Sequence, residues 1–241
     1  MLTLAIIGYG KMGRAVEQMA TERGHQVTLR IDKDTPQTDW DLLRSRAQVA
    51  LEFTSPQTAP HNVSRCLELG VPVVCGSTGW AADGLEPLRQ RIEAQGGALF
   101  YSANFSLGVH LLRRLCAEAS AYLARIGGYQ PAIQEVHHIH KLDAPSGTAI
   151  TLAGALAQAN PALQGWTLLP DRQKDKVPIE AVRQGEVPGI HTVSFDSAED
   201  TITLTHSAKN RRALALGAVM AAEFLATHPK GLFGMDDLIQ P

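Results

Sequence analysis

Cysteine is scarce in these 241 residues: the three present, Cys66, Cys75 and Cys116, stand alone, without the paired spacing of a metal knuckle or a disulfide framework. A disulfide-stapled secreted scaffold is thereby excluded, and a reducing, cytoplasmic setting is the default expectation. Aromatic residues make up only 5% of the chain, and charge is nearly balanced at a formal −2. That balance gives no electrostatic reason to expect nucleic acid or an anionic membrane surface as partner. No apolar run approaches the ~20 residues of a membrane helix. The opening MLTLAIIGYGKMG lacks the basic lead, long apolar core and small-residue cleavage site of a secretory leader. Its apolar stretch suits a buried strand instead. What remains is an ordinary globular composition, 44% hydrophobic and 19% charged, long enough for one large domain or two modest ones.

The first hundred or so positions alternate short continuous apolar runs with helical patterns, the signature of βαβ units around a parallel sheet buried on both faces. Strands are expected at Leu2 to Ile7, Gln26 to Ile31, Gln48 to Phe53, Val71 to Cys75 and Ala98 to Tyr101. Helices are expected at Gly13 to Arg23, His61 to Leu69 and Asp83 to Gln95. After Ser106 the character changes. Gly108 to Arg125 carries apolar residues at helical spacing, including Leu111, Leu112 and Leu115. Beyond Pro131 the strands alternate, at Ala132 to Val136, Ile179 to Arg183, His191 to Phe195 and Thr201 to Thr205, with Gly185, Pro188 and Gly189 as turn residues. The expected fold is α/β: a Rossmann-type dinucleotide-binding domain over 1–106, completed by 212–241, plus a smaller α+β domain with a mixed or antiparallel sheet over 107–211. The apolar helix Arg212 to Leu225 is expected to return and cover the first sheet.

Gly8, Gly10 and Gly13 stand in a GxGxxG frame, IIGYGKMGRAV, directly after a strand and opening a helix. In that context Gly8 permits the tight turn and Gly10 lets backbone N–H groups approach a pyrophosphate. Gly13 allows helix to pack on strand. Lys11 and Met12 complete the loop, and the helix N-terminus favours phosphate. Asp32 lies at the end of the second strand, where an acid bonds the adenine ribose hydroxyls. An acid there repels a 2′-phosphate, although Lys33 next to it offsets that repulsion. NADH is therefore expected to serve at least as well as NADPH. A glycine-rich turn with no ligand is the alternative, against which strand, loop, helix and acid all agree.

The stretch EVHHIHKLDAPSGTAI, from Glu135 to Ile150, places three of the nine histidines beside a lysine. A metal site would need three or four converging ligands. If the segment is extended, His138 and His140 face one way and His137 the other, and no cysteine pair or HExxH pattern supplies partners, so no metal is expected. Histidines that merely satisfy local hydrogen bonds are the bland reading. Against it, Ser146 is a good N-cap for an apolar helix whose first N–H groups, at Gly147 and Thr148, can receive an anion. A lysine among other cations has its pKa lowered, and histidine titrates near neutrality. The segment thus reads as an anion pocket beside a general acid, and with the dinucleotide fold it implies a reductase or dehydrogenase acting on a small anionic substrate.

These residues resemble a known family. EVHHIHKLDAPSGTA is very similar to the signature of the dihydrodipicolinate reductases of lysine and diaminopimelate biosynthesis. GYGKMG, FTSP at 53–56, CGSTGW at 75–80, YSANFSLGV at 101–109 and GLFGMDDLI near the end extend the likeness over nearly the whole chain. The resemblance implies NAD(P)H-dependent reduction of 4-hydroxy-tetrahydrodipicolinate to tetrahydrodipicolinate, with hydride passing to C4 of the dehydrated ring and a proton to the neighbouring carbon. It implies His137 as catalytic histidine and Lys141 as proton donor, His138 in contact with a small dicarboxylate, and Gly147 and Thr148 holding a carboxylate. Gly76, Ser77, Thr78 and Ser102, Ala103, Asn104 and Phe105 then border the nicotinamide half of the cofactor, and a cytoplasmic homotetramer is implied. In this chain the glycine loop is one residue shorter than in many members, the stretch between Asp32 and Gln48 is short, and Glu52 replaces a common aspartate. Two other readings are a related dehydrogenase of semialdehydes or sugar acids, and a silent dinucleotide sensor. No cysteine sits in an acyl-nucleophile context, and a sensor has no need of the His137, His138, Lys141 set.

Overall fold

A computed structural model describes residues 1–210 and 212–239, without the side chains of 37 and 38. Positions 211, 240 and 241, at the expected domain limits, lie outside the described residues. In chain order the elements are β1 (Thr3–Ile7), α1 (Lys11–Glu22), β2 (Gln26–Ile31), α2 (Gln37–Asp41), α3 (Leu43–Arg46), β3 (Val49–Glu52), α4 (Ala59–Glu68), β4 (Val73–Cys75), α5 (Ala81–Gln95) and β5 (Ala98–Tyr101). They continue with α6 (Leu107–Ile126), β6 (Gln130–His137), α7 (Gly147–Ala159), β7 (Trp166–Leu168), β8 (Val177–Arg183), β9 (Ile190–Asp196), β10 (Thr201–Ser207), α8 (Arg212–Thr227), β11 (Gly231–Phe233) and α9 (Met235–Leu238). The chain divides into two units, Met1–Leu107 with Arg211–Pro241, and Gly108–Asn210. No helix among the described residues is long and apolar enough to cross a membrane.

The first unit is a parallel sheet in the order β11-β5-β4-β3-β1-β2. Its strands read as unbroken apolar runs because both faces are covered. On one face Leu4, Ile6, Val49, Leu51 and Phe100 pack with Val16 and Ala20 of α1 and Ala215, Ala218, Val219 and Ala222 of α8. On the other, Ile7, Ile31, Cys66, Val73, Cys75 and Leu99 pack with Leu88 and Ile92 of α5. The returning helix α8 thus covers this sheet, as its apolar pattern demanded. Small residues let it come close: a Cβ on Gly217 would lie 1.9 Å from the Phe105 carbonyl oxygen.

The second unit carries a mixed sheet, β10-β9-β6-β8-β7, antiparallel at β10–β9 and β9–β6 and parallel at β6–β8 and β7–β8. One face is closed by α6 and α7, through Leu112, Cys116, Leu152 and Leu156 on Ile133, Ile179, Val193 and Phe195. On α6 the buried stripe runs through Leu112 and Cys116, whereas Leu111 and Leu115, one residue off that stripe, are exposed.

Three expectations are corrected. Helix α1 begins at Lys11, not Gly13, so Lys11 and Met12 form its first turn. The strand expected at Ala132 to Val136 runs from Gln130 to His137, after which His138 to Lys141 turn away from it. The short elements α2, α3, β7, β11 and α9, three to five residues each, were not anticipated, because so few residues display no measurable period.

Candidate active site

In the first unit the three loop glycines do different things. Gly8 has φ +91°, and a Cβ there would sit 2.3 Å from the Phe53 carbonyl oxygen. A Cβ on Gly13 would sit 2.3 Å from the Gly8 carbonyl oxygen. Both are fixed by the protein's own packing of β1, α1 and β3. Gly10 differs: a Cβ there meets nothing within 4 Å, and as N-cap of α1 it offers no side-chain hydrogen bond to the first turn. The loop is therefore open where a phosphate would approach, and the first-turn N–H groups have no intrahelical carbonyl. A reduced nicotinamide dinucleotide fits these residues.

Beside the loop lies a cavity of about 380 Å³ whose lining includes Ile31, Asp32, Lys33, Trp40, Thr54 and His61. Asp32 is exposed there, and its Oδ1 accepts from the Lys33 N–H at 2.9 Å. Trp40, Thr54 and His61 were missed from the sequence; FTSP marked the right loop, but nothing assigned its side chains. Underneath, the wholly buried Glu52 accepts from the Thr54 hydroxyl, from Asn62 Nδ2 at 3.2 Å and from the Cys75 thiol at 3.1 Å. Burial pushes the Cys75 and Cys66 thiols up, and the neighbouring Glu52 charge adds to it. Cys116 is raised by burial alone, to about 12. All three stay thiols at neutral pH.

The expected nicotinamide-side residues are mostly loop fasteners. A Cβ on Gly76 would collide with the Phe53 ring at 2.1 Å. Ser77 is buried and its hydroxyl accepts from the Thr54 N–H at 2.8 Å, while Thr78 is exposed. Ser102 donates to the Asn104 carbonyl at 2.8 Å, and Asn104 Oδ1 accepts from the Ser106 N–H at 2.8 Å. Ala103 is exposed, and Phe105 is buried against Phe100. Ser77 and Phe105 shape these loops from beneath.

In the second unit, β6 presents Ile133, Glu135 and His137 to one side, the period-two consequence of a strand. Glu135 is 0% exposed yet ionisable, so its carboxylate requires partners. It has three. Oε2 receives the Nδ1 hydrogen of His137, and Oε1 receives Arg183 Nη2 at 3.0 Å and the Ser146 N–H at 3.2 Å. Directly across the antiparallel ladder from Glu135 stands His191, whose ring meets that of His137 edge to face at 5.1 Å. His191 Nε2 bonds the Ser146 hydroxyl at 3.1 Å, and that hydroxyl also caps α7 by accepting from the Ala149 N–H at 3.2 Å. Arg183 further donates to the carbonyls of Lys141 and Asp143, at 3.3 and 2.5 Å.

Burial lowers the His137 pKa; Glu135 works against that, while Lys141 and Arg183 reinforce it. His191 is lowered to about 4, by burial first and by His137 second. Both rings are neutral at pH 7. Lys141 does not stand among cations as expected: its Nζ pairs with Asp143 at 2.8 Å, and the lysine holds the Asp143 carboxyl below its usual range. His138 is half-buried, its Nδ1 without a partner among the described residues. His140 points to solvent and pairs with Glu186 at 3.2 Å. Gly147 and Thr148 open α7. Glu135, Arg183 and His191 were missed. Only Glu135 could have been found, since a residue two before His137 on a strand shares its face.

Ligand-type atoms of Glu135, His137 and His191 lie within 4.8 Å of one another. Within this group Glu135 Oε2 receives the His137 Nδ1 hydrogen, while Oε1 holds Arg183 and the Ser146 N–H.

Two family models together span nearly the whole chain. Residues 2–105 match the family model "Dihydrodipicolinate reductase, N-terminus" and residues 108–239 match "Dihydrodipicolinate reductase, C-terminus". A 4-hydroxy-tetrahydrodipicolinate reductase of Christiangramia forsetii is 39% identical over 238 residues, 99% of this chain and 98% of that one. One of Caldanaerobacter subterraneus subsp. tengcongensis is 33% identical over 100% and 99%. In fold the chain is similar to the solved dipicolinate-bound dihydrodipicolinate reductase of Paenisporosarcina sp. TG-14, with a TM-score of 0.82, 24% identity, and coverage of 99% and 100%.

Proposed function

The chain belongs to the dihydrodipicolinate reductase family, and from that premise we propose how its own residues carry out the reaction, the NAD(P)H-dependent reduction of 4-hydroxy-tetrahydrodipicolinate to tetrahydrodipicolinate in lysine and diaminopimelate biosynthesis. The first unit binds the dinucleotide and the second binds substrate. Gly8, Gly10, Lys11, Met12 and Gly13 surround the pyrophosphate, and Asp32 bonds the adenine ribose. The acid disfavours a 2′-phosphate, a repulsion that Lys33 beside it only offsets, so NADH serves at least as well as NADPH. Gly76 to Thr78 and Ser102 to Phe105 border the nicotinamide mainly through backbone.

The bound cofactor supplies a hydride; the protein supplies position, charge and a proton. One substrate carboxylate sits on the Gly147 and Thr148 N–H groups, where the α7 dipole favours an anion. That the relative from Paenisporosarcina holds dipicolinate, a dicarboxylate, supports a dianionic ligand. His138 and Lys141 accompany the substrate's charge. Lys141, released from Asp143, donates the proton to the carbon beside the hydride acceptor. His137, neutral at pH 7 with Nδ1 donating to Glu135, presents Nε2 to substrate.

A homotetramer assembled through the second unit's sheet is consistent with β10, an edge strand with no buried residue in the single chain. Three free, buried cysteines suit the cytoplasm.

The observation that carries this reading is that Ser146, the cap of α7, is hydrogen-bonded to Glu135, the partner of His137, and to His191. The test follows nicotinamide absorbance while a synthase generates substrate from pyruvate and aspartate semialdehyde. Rapid substrate-dependent oxidation of NADH, at least matching NADPH, is the expected result. Dinucleotide binding without turnover would instead leave a sensor.

A further inference from the structure

Glu135 is wholly buried in the second unit, and its three partners belong to three different parts of the site. Its Oε2 holds His137. Its Oε1 accepts from the Ser146 N–H, at the cap of the helix that opens with Gly147 and Thr148. The same oxygen takes Arg183, whose guanidinium also grips the Lys141 and Asp143 carbonyls. One carboxylate therefore ties the histidine, the anion-binding helix and the lysine loop together. A second feature points the same way. Gly189 has φ +151°, and a Cβ there would lie 3.0 Å from His137 Nε2, so a side chain at 189 would crowd that nitrogen.

We propose that Glu135, clamped by Arg183, is a positioning residue for the reductase reaction: it fixes His137 as the Nδ1–H tautomer with Nε2 turned to substrate, and it keeps α7 and the Lys141 loop in register with that ring. This rests on the role given to His137 above. The carboxylate acts through its partners and touches no reacting atom. An amide in its place can turn its NH₂ toward Nδ1 and impose the opposite tautomer, which puts a hydrogen on Nε2 in the neutral ring.

The groups that face His137 are Glu135 on its own strand, His191 on β9, Arg183 on β8 and Lys141 on the following loop. Of these only Glu135 raises the His137 pKa, so removing its charge moves the acid limb of the kcat/KM profile to lower pH.

The experiment compares wild type with Glu135→Gln, Glu135→Asp, His137→Gln and the double variant Glu135→Gln/His137→Gln in the coupled assay. Glu135→Gln is expected to lower kcat by about 10²–10⁴-fold with KM changed by no more than about threefold. The double variant should be no slower than the slower single one, because the carboxylate works through the ring. Glu135→Asp, with its charge kept, should recover part of kcat and restore the acid limb. If His137→Gln is inactive while Glu135→Gln turns over normally with an unmoved acid limb, the positioning role is wrong and the reading of His137 stands. If His137→Gln turns over normally, both fall. Should Glu135→Gln not fold, ¹⁵N spectra of histidine-labelled unmodified protein decide: a protonated Nδ1 and bare Nε2 on His137 near neutrality are expected, and the Nε2–H tautomer overturns the proposal.

Discussion

His191 offers a quantitative test of the buried network, through a stability that acid removes. The ring is 4% exposed, its Nε2 bonds Ser146, and its pKa lies near 4 against an ordinary 6.5. A folded-state pKa below the unfolded one means the unfolded chain binds the proton first as pH falls. The stabilisation is thus complete above pH 6.5 and is lost progressively from there down toward pH 4. From pH 7.5 to 4.5 the linkage integral for that shift gives a loss of about 2.5 kcal/mol. His191→Gln keeps an amide for the Ser146 hydroxyl but cannot titrate. Urea unfolding of both proteins at the two pH values isolates the effect, because other acid-sensitive groups, such as Glu17, Glu223 and Asp143, are common to both. The wild type should lose about 2.5 kcal/mol more than the variant over this interval. Equal losses would mean that His191 is not held neutral, and the account of the Glu135–His137–His191 cluster would fail with it.

Other consequences concern turnover and binding. Lys141→Ala should lower kcat by about 10²–10⁴-fold, the range for losing a general acid, in the coupled assay; near-normal turnover would remove Lys141 from the proton transfer. Asp32→Ala should weaken NADH use while sparing or improving that of NADPH, read as the ratio of kcat/KM values, and an equal loss with both would refute the ribose contact. Gly13→Ala places a Cβ 2.3 Å from the Gly8 carbonyl oxygen, so α1 must move off the loop. Both the melting temperature and dinucleotide affinity should fall, and unchanged affinity would show that the loop geometry is not what binds phosphate.

Much of this architecture was legible in the sequence because its signals are local. Continuous apolar runs such as Leu4 to Ile7 announce strands buried on both faces, and Ser146 before an apolar run announces a capped helix. The family signature around His137 and Lys141 is contiguous, so it could be read directly. What could not be read depends on register and distance. Arg183 and His191 reach Glu135 only because β8 and β9 flank β6 in a particular alignment, with Glu135 opposite His191. Lys141 was expected among cations because the neighbouring letters are histidines, yet the turn after His137 brings Asp143 to its ammonium instead. Trp40 and His61 line the cavity beside Asp32 from helices whose own patterns carry no ligand signal.

The central claim is that the segment from Glu135 to Thr148 holds the dicarboxylate and protonates the reduced ring. A crystal structure of the chain with dipicolinate and a reduced dinucleotide tests it most directly. One carboxylate is expected on the Gly147 and Thr148 N–H groups, with His137 Nε2 facing the ring and Lys141 turned from Asp143 toward the ligand. Dipicolinate seated elsewhere, with the Lys141–Asp143 pair intact and His137 Nε2 facing solvent, would contradict it.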